Sequence, residues 1–237
     1  MGLTTKYRTD QEEIMDDFAM EGEILRDALD KIASINQLLG GNKLTLHGVK
    51  EMLSTAEQDR KFTIVDVGCG NGDMLRALAD YATTKGLTFN LIGIDANHFT
   101  ITHARDLSKN YANISYRCED IFDKEFENLK YDIVLCTLTL HHFKDDQIEK
   151  LLSVFYKNAT LGVVINDLHR SKIAYRSFQA LCKVFRLNDM SREDGLVSIL
   201  RGFKKVDLIQ FSEKLGFRKY DVKWKWAFRY QWIIYKI

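Results

Sequence analysis

Apolar residues recur along this chain with two periods. From Gln11 to Leu39 the spacing is helical: Leu25, Leu29, Ile32 and Leu39 share one face, and Gly40-Gly41 ends the run. Leu46, Val49 and Leu53 predict a second helix. Thr63–Val67 is a short apolar run ending in a glycine turn, the pattern of a buried strand. Strand-like stretches follow at Asn90–Asp95, Ile114–Arg117, Tyr131–Thr137 and Gly162–Asp167. They alternate with helical stretches at Asp73–Thr83, Phe99–Asn110, Asp145–Tyr156 and Ser171–Phe185. Short apolar strands separated by helices of this length predict an α/β fold, a parallel sheet covered on both faces. Val206–Leu215 reads as a further helix closed by Gly216. Phe217–Trp226 and Phe228–Ile237 are aromatic, β-branched and alternating, which predicts an antiparallel hairpin. No repeat or low-complexity linker is visible. Residues 1–59 therefore read as an N-terminal helical extension or lid, and 60–237 as the main domain.

Composition narrows the class. The chain has 237 residues, 46% hydrophobic and 28% charged, ordinary values for a globular enzyme and incompatible with wholesale disorder. No apolar run approaches the ~18 residues of a membrane span, and the polar, acidic N-terminal stretch lacks a signal peptide's apolar region. Cys69, Cys118, Cys136 and Cys182 form no CxxC pair, so a reducing, cytoplasmic setting is expected. The net charge of +1 argues against a general nucleic-acid binder. It is unevenly spread: residues 1–59 carry 6 Lys/Arg against 12 Asp/Glu, and residues 201–237 carry 10 against 3. Two solvated faces of opposite sign, close in the fold, account for this most simply.

The chemistry begins at Val65-Asp-Val-Gly-Cys-Gly-Asn-Gly-Asp73. Gly68, Gly70 and Gly72 let the backbone turn tightly and approach a ligand, and the following helix offers free N–H groups. A dinucleotide fingerprint wants glycine where this chain has Asp73. An acid there is a poor neighbour for a pyrophosphate but suits a ligand carrying an ammonium beside its carboxylate. Asp95 ends the next strand, placed to accept hydrogen bonds from both ribose hydroxyls of a nucleoside. Asp120-Ile121 follows the third strand, where an acid and an apolar neighbour can read an adenine. Tyr131-Asp-Ile-Val-Leu-Cys-Thr-Leu-Thr-Leu-His-His-Phe143 brings a fourth strand end to the same crevice.

These motifs, in this order, resemble the class I S-adenosylmethionine-dependent methyltransferases over roughly residues 62–237. The resemblance implies a Rossmann-like seven-stranded sheet with helices on both faces and a C-terminal antiparallel hairpin, and S-adenosyl-L-methionine as cofactor. It assigns Asp66, Gly68, Cys69, Gly70 and Gly72 to the loop around the methionine end. Asp95 would hold the ribose, Ala96 and Asn97 would flank the adenine, and Asp120 and Ile121 would recognise it. Cys136 and Thr137 would pass close to the sulfonium. Each acid also has a plain structural role open to it: Asp66 and Asp120 in turns, Asp95 as a helix cap. A narrower resemblance, carried by Met15-Asp-Asp17, Ile35-Asn-Gln-Leu-Leu-Gly-Gly41, Asn166-Asp-Leu-His-Arg170 and Ser198-Ile-Leu-Arg-Gly-Phe203, is to bacterial methyltransferases that accompany type III polyketide synthases. It implies a phenolic or quinone-like acceptor and a lid with Asn36, Gly40 and Gly41 near the cofactor.

Methyl transfer to a phenol benefits from a neighbouring base. His141, His142 and His169 lie just beyond predicted strand ends, where open α/β sheets place their sites. His169, beside Asp167, is the first candidate and His141 the second. Arg170 is placed to pair with an acidic acceptor or with Asp167, and Tyr175, Phe178 and Phe185 to form a pocket wall. The chain contains no proline. Enzymes that methylate base amino groups use an Asn/Asp-Pro-Pro-aromatic segment where this chain has Cys136-Thr-Leu-Thr139, so DNA is not an expected substrate. His98 and His103 share no helical face, and no metal set is expected. The expected partner is a small-molecule acceptor, with a homodimer left open. RNA or protein methylation, a nicotinamide-dependent dehydrogenase and a silent binding module are the competing readings.

Overall fold

The computed structural model describes residues 3–54, 56, 57 and 59–237; the remaining positions of the expected extension, 1, 2, 55 and 58, lie outside the described residues. Two helices, α1 (Glu23–Leu38) and α2 (Gly41–Leu53), precede β1 (Lys61–Val67). The alternation then runs α3 (Asp73–Lys85), β2 (Thr88–Asp95), α4 (His98–Leu107), β3 (Ile114–Cys118), α5 (Lys124–Asn128), β4 (Tyr131–Thr137), α6 (Asp145–Asn158) and β5 (Ala159–Leu168). Three helices follow, α7 (Lys172–Val184), α8 (Asp189–Arg201) and α9 (Lys205–Lys214), and the hairpin β6 (Tyr220–Lys225), β7 (Arg229–Tyr235) closes the chain.

The strands form one seven-stranded sheet in the order β3-β2-β1-β4-β5-β7-β6. β1 to β5 are parallel, and β7 runs antiparallel to both β5 and β6. The fold is the α/β arrangement that the alternation predicts, in the Rossmann-like seven-stranded form that the resemblance implies. The order reverses between β1 and β4, so the C-terminal ends of these strands open onto a crevice.

Side chains alternate between the sheet's two faces, each of which carries its own core. Phe62 and Ile64 of β1 join Leu91, Ile133, Leu135 and Val164 under α2, α3 and α4. Val65 and Val67 join Ile94, Val134, Ile165 and Trp232 under α6 and α9. Because Val49, Met52 and Leu53 of α2 belong to the first of these cores, the end of the extension is fastened to the sheet. Among the described residues no helix is long and apolar enough to cross a membrane.

Besides the five-residue α5, which the pattern does not announce, two stretches depart from the pattern-based expectation. The helix expected over Gln11–Leu39 begins only at Glu23, because Gly22 before it takes a φ of 96° that breaks the helix. Residues Ile14–Asp16 instead make one 3₁₀ turn. Helix α8 was not expected at all: its buried residues include Ser191, Asp194, Ser198 and Arg201, so it has no apolar stripe to announce it.

Candidate active site

The glycine turn folds as a cradle. The N–H groups of Gly68 and Cys69 both donate to the Ile94 carbonyl, at 2.9 and 3.1 Å, tying the end of β1 to β2. Gly72 caps α3 in the left-handed region, and a Cβ there would stand 2.0 Å from Tyr116 Oη. Gly70 is also left-handed, but a Cβ on it would meet only Leu29, at 3.9 Å, and would otherwise point into open space. Gly72 thus supports the turn from behind, while Gly70 faces the ligand side.

Carboxylates surround this cradle. Asp66 is buried, and its Oδ1 has no hydrogen-bond partner. Burial, reinforced by Asp73 and Asp95, holds its carboxyl well above the usual range. Asp95 accepts from Gly70 N (3.3 Å) and Asn97 N (3.0 Å); burial still leaves its carboxyl raised. Asp73 accepts from the Asn42 amide at 2.7 Å. An orphaned buried carboxyl beside two further acids leaves an electrostatic deficit that a cationic ligand group fills. The cradle therefore fits an ammonium and a nearby sulfonium far better than a pyrophosphate.

The other expected contacts are placed unequally. Asn97 caps α4 by accepting from Thr100 N, and its amide donates to the carbonyls of Phe18 (3.1 Å) and Met20 (2.8 Å). Ala96, Asn97, Asp120 and Ile121 all line one cavity of about 2200 Å³ above the strand ends. Asp120 spends one oxygen on Phe122 N (2.9 Å) and keeps the other. Thr137 lines the cavity and pairs with Thr45 across 3.1 Å. Cys136 does not line it: its side chain belongs to the core below, and Leu138 and Thr139 reach the cavity in its place. Leu138 holds a φ of 54°, a strained conformation at the cleft floor. Asn36 bonds the Asn42 side chain (2.6 Å), which ties α1 to Asp73 at the edge of the cradle.

The histidines are arranged differently from the sequence expectation. His169 lies outside the cavity lining. Its Nδ1 accepts from the Trp224 indole at 3.2 Å, and its ring packs edge-on against Tyr230. Burial, then Arg170 and Lys204, hold its pKa below the usual value. Arg170 is equally committed, to Asp207 at 3.0 Å and to backbone carbonyls. Asp167 instead orients His141: its Oδ1 is 2.7 Å from Nδ1, and its Oδ2 accepts from His141 N at 3.2 Å. Burial would raise the Asp167 carboxyl, but the His141 contacts bring it below the usual range. Of the aromatic wall, Phe178 lines the cavity, joined by Phe228; Tyr175 and Phe185 do not.

Sequence reasoning missed the partners of this histidine pair. Glu13 and Asp16, from the 3₁₀ turn, reach the ends of both rings. His142 Nδ1 lies 2.6 Å from Asp16 Oδ1, and Glu13 Oε1 lies 3.7 Å from both His141 Nε2 and His142 Nδ1. Glu13 Oε2 accepts from Ser198 Oγ at 2.6 Å, and burial pushes the Glu13 carboxyl up to about 7. Arg201 bridges Asp16 Oδ2 (2.5 Å) and the His141 carbonyl (3.1 Å). Asp194 accepts from Ile14 N (2.7 Å) and Met15 N (3.0 Å), which fixes the turn over the cavity. Asp16, Ser198 and Arg201 lie in the segments that carry the narrower resemblance, but nothing in those segments points to the histidines, since the contacts join positions 13–16 to 141–142 and 194–201.

The chain is similar to known methyltransferases. Residues 64–162 match the family described as Methyltransferase domain. Over 89 residues the chain is 33% identical to ubiquinone biosynthesis O-methyltransferase of Coxiella burnetii (strain Dugway 5J108-111), covering 35% of this chain and 34% of that protein. It is 35% identical over 129 residues to malonyl-[acyl-carrier protein] O-methyltransferase of Acetivibrio thermocellus, covering 51% and 43%. The chain thus spans about a third of the length of the first and under half of the second. Among solved structures, the plantazolicin methyltransferase BpumL in complex with SAH superposes with a TM-score of 0.67 at 16% identity, over 88% of this chain and 89% of that one.

Proposed function

We propose, from the premise that this chain is a class I S-adenosylmethionine-dependent methyltransferase by domain and fold, that it methylates an oxygen of a small phenolic or polyketide-like acceptor. The observation that carries this reading is the acid-rimmed glycine cradle opening into a large cavity. Within it, Asp66 and Asp73 face the ammonium of the methionine moiety, and Asp95 accepts from the ribose. Asp120 and Ile121 take the adenine, and Leu138 and Thr139 floor the site of transfer.

When bound, S-adenosylmethionine supplies an electrophilic methyl group on a sulfonium. The chain's own contribution is alignment and exclusion of water, which in favourable cases supplies about 7–11 kcal/mol. Residues 13–18 roof part of the cavity, held through Asn97 and Asp194. A partly roofed cleft suits a small acceptor better than an RNA or protein loop. Phe178 and Phe228 offer aromatic surface to a flat acceptor. The polar end, with Glu13, His141 and His142, is where its hydroxyl belongs. His169, paired with Trp224, has no part in this reading.

Calorimetry with S-adenosylhomocysteine tests the first half, and methyl transfer from labelled cofactor to a panel of phenols, carboxylic acids and amines tests the second. Micromolar binding with transfer confined to oxygen acceptors is expected. Transfer to amines alone would overturn the oxygen assignment, and an absence of binding would overturn the cofactor.

A further inference from the structure

Glu13, His141 and His142 meet in a way that hydrogen bonding does not explain. Glu13 is 6% exposed and His141 2% exposed, and neither Glu13 Oε1 nor His141 Nε2 has a hydrogen-bond partner among the described residues. The two atoms nevertheless face each other at 3.7 Å, Glu13 Oε1 stands at the same distance from His142 Nδ1, and Arg201 Nη1 lies 3.5 Å from Glu13 Oε1 as an ion pair without a hydrogen bond. The 3.7 Å separation is too long for a hydrogen bond. It is close to the spacing of two ligands of one ion: donors about 2.1 Å from a tetrahedral zinc lie about 3.4 Å apart. All three donor atoms lie within 4.8 Å of one another.

We propose that Glu13, His141 and His142 form a binding site for a zinc-class divalent cation, with its open coordination position turned to the cavity. Two imidazoles and one carboxylate are a zinc or cobalt donor set rather than a magnesium one. The surroundings match. Asp167 holds His141 Nδ1 at 2.7 Å, leaving Nε2 as the unprotonated lone pair, the usual outer partner of a metal-bound histidine. Four carboxylates crowd the cluster, those of Glu13, Asp16, Asp167 and Asp194. Arg201 is the guanidinium bonded among them, and Arg8 alongside is engaged by Asp145 at 2.6 Å. A dication relieves that excess of negative charge. Loading exchanges the His142–Asp16 hydrogen bond and the Arg201–Glu13 ion pair for coordination and leaves Arg201 to hold Asp16.

Three protein ligands are the complement of an open zinc site, and all three line the cavity. The ligand class that completes it is an anionic or readily deprotonated oxygen, such as a phenolate. This last step rests on the methyl-transfer reading; the metal site itself does not.

The test uses the full chain, stripped with a chelator and titrated with Zn²⁺ by calorimetry and with Co²⁺ by visible absorption. One equivalent of zinc and the absorption bands of four-coordinate cobalt are expected. Glu13→Gln and His142→Gln, checked for folding by circular dichroism, are expected to abolish the cobalt bands. Asp167→Asn is expected to weaken zinc binding by about 10- to 100-fold. Absence of stoichiometric binding, or cobalt spectra unchanged in both Glu13→Gln and His142→Gln, would overturn the site. S-adenosylhomocysteine affinity measured on the same samples separates the two readings: its retention without metal binding rejects this proposal alone, and its loss in the unmodified chain rejects the cofactor assignment.

Discussion

Replacing Asp95 by Asn changes one charge and almost no volume, which makes it the cleanest probe of the cradle. In the folded protein Asp95 Oδ1 accepts from Asn97 N and Oδ2 from Gly70 N, at 3.0 and 3.3 Å. An asparagine retains an oxygen for Asn97 and presents an NH₂ group to the other side. It thereby loses the charge-assisted acceptor available to the ribose. Hydrogen bonds to charged groups contribute about 1.5–3 kcal/mol. At ~1.4 kcal/mol per decade, the loss of one corresponds to roughly 10- to 150-fold in affinity for S-adenosylhomocysteine. Asp95→Ala removes both backbone partners as well, and each stranded N–H adds about 1–3 kcal/mol of destabilisation. Asp95→Asn strands the Gly70 N–H alone and Asp95→Ala strands both, so the expected pattern is a lowered melting temperature for Asp95→Asn, a still lower one for Asp95→Ala, and weakened binding in both. Calorimetry showing Asp95→Asn within twofold of the parent, with its fold intact, would refute the ribose role.

Other perturbations separate the parts of the molecule. Gly72→Ala and Gly70→Ala share a left-handed backbone cost of about 1–2 kcal/mol, but only the former drives a Cβ onto Tyr116 Oη at 2.0 Å. Gly72→Ala is therefore expected to melt lower than Gly70→Ala, whose stability loss stops at the shared backbone cost but which also loses cofactor affinity; denaturation and calorimetry on the pair decide it. Phe155→Ala, which empties a fully buried position under the sheet, should cost about 3–5 kcal/mol in urea denaturation. Asp132 is buried, which would raise its carboxyl, but Thr160, Thr63 N and Arg60 at 2.8 Å bring it below the usual range. Its stabilising contribution is then complete above the unfolded carboxylate value, near ~3.9, and is lost as pH falls through the folded one. Asp132→Asn should accordingly be less stable than the parent at neutral pH, the gap closing in strong acid. A gap that does not change with pH would contradict the assignment.

The central parallel strands β1, β2, β4 and β5 were legible because each is largely buried and reads as an apolar run between turn residues, whereas the edge strand β3 is mostly exposed. The cradle was legible because its glycines and acids are close in sequence. The acceptor end was not, and the physical reasons are specific. Asp167 and His169 are two residues apart on extended chain, which at about 3.3 Å per residue places them about 7 Å apart. Their proximity in sequence therefore says nothing about contact. Parallel pairing of Thr137 with Asn166 instead brings the loop after β4 against the end of β5, and His141 reaches Asp167 across the sheet. Helix α8 buries Asp194, Ser198 and Arg201, and the turn at Ile14–Asp16 is held by them, so hydrophobic periodicity identified neither. The polar residues missed in the sequence meet in one place, over the cavity. Stability alone does not call for this arrangement: an apolar α8 packed on an apolar N-terminal segment would close the fold with fewer desolvated charges. Four carboxylates, two imidazoles and a guanidinium gathered at the polar end of the site, with two of their buried atoms lacking a hydrogen bond, are better explained by something that binds there than by the needs of the core.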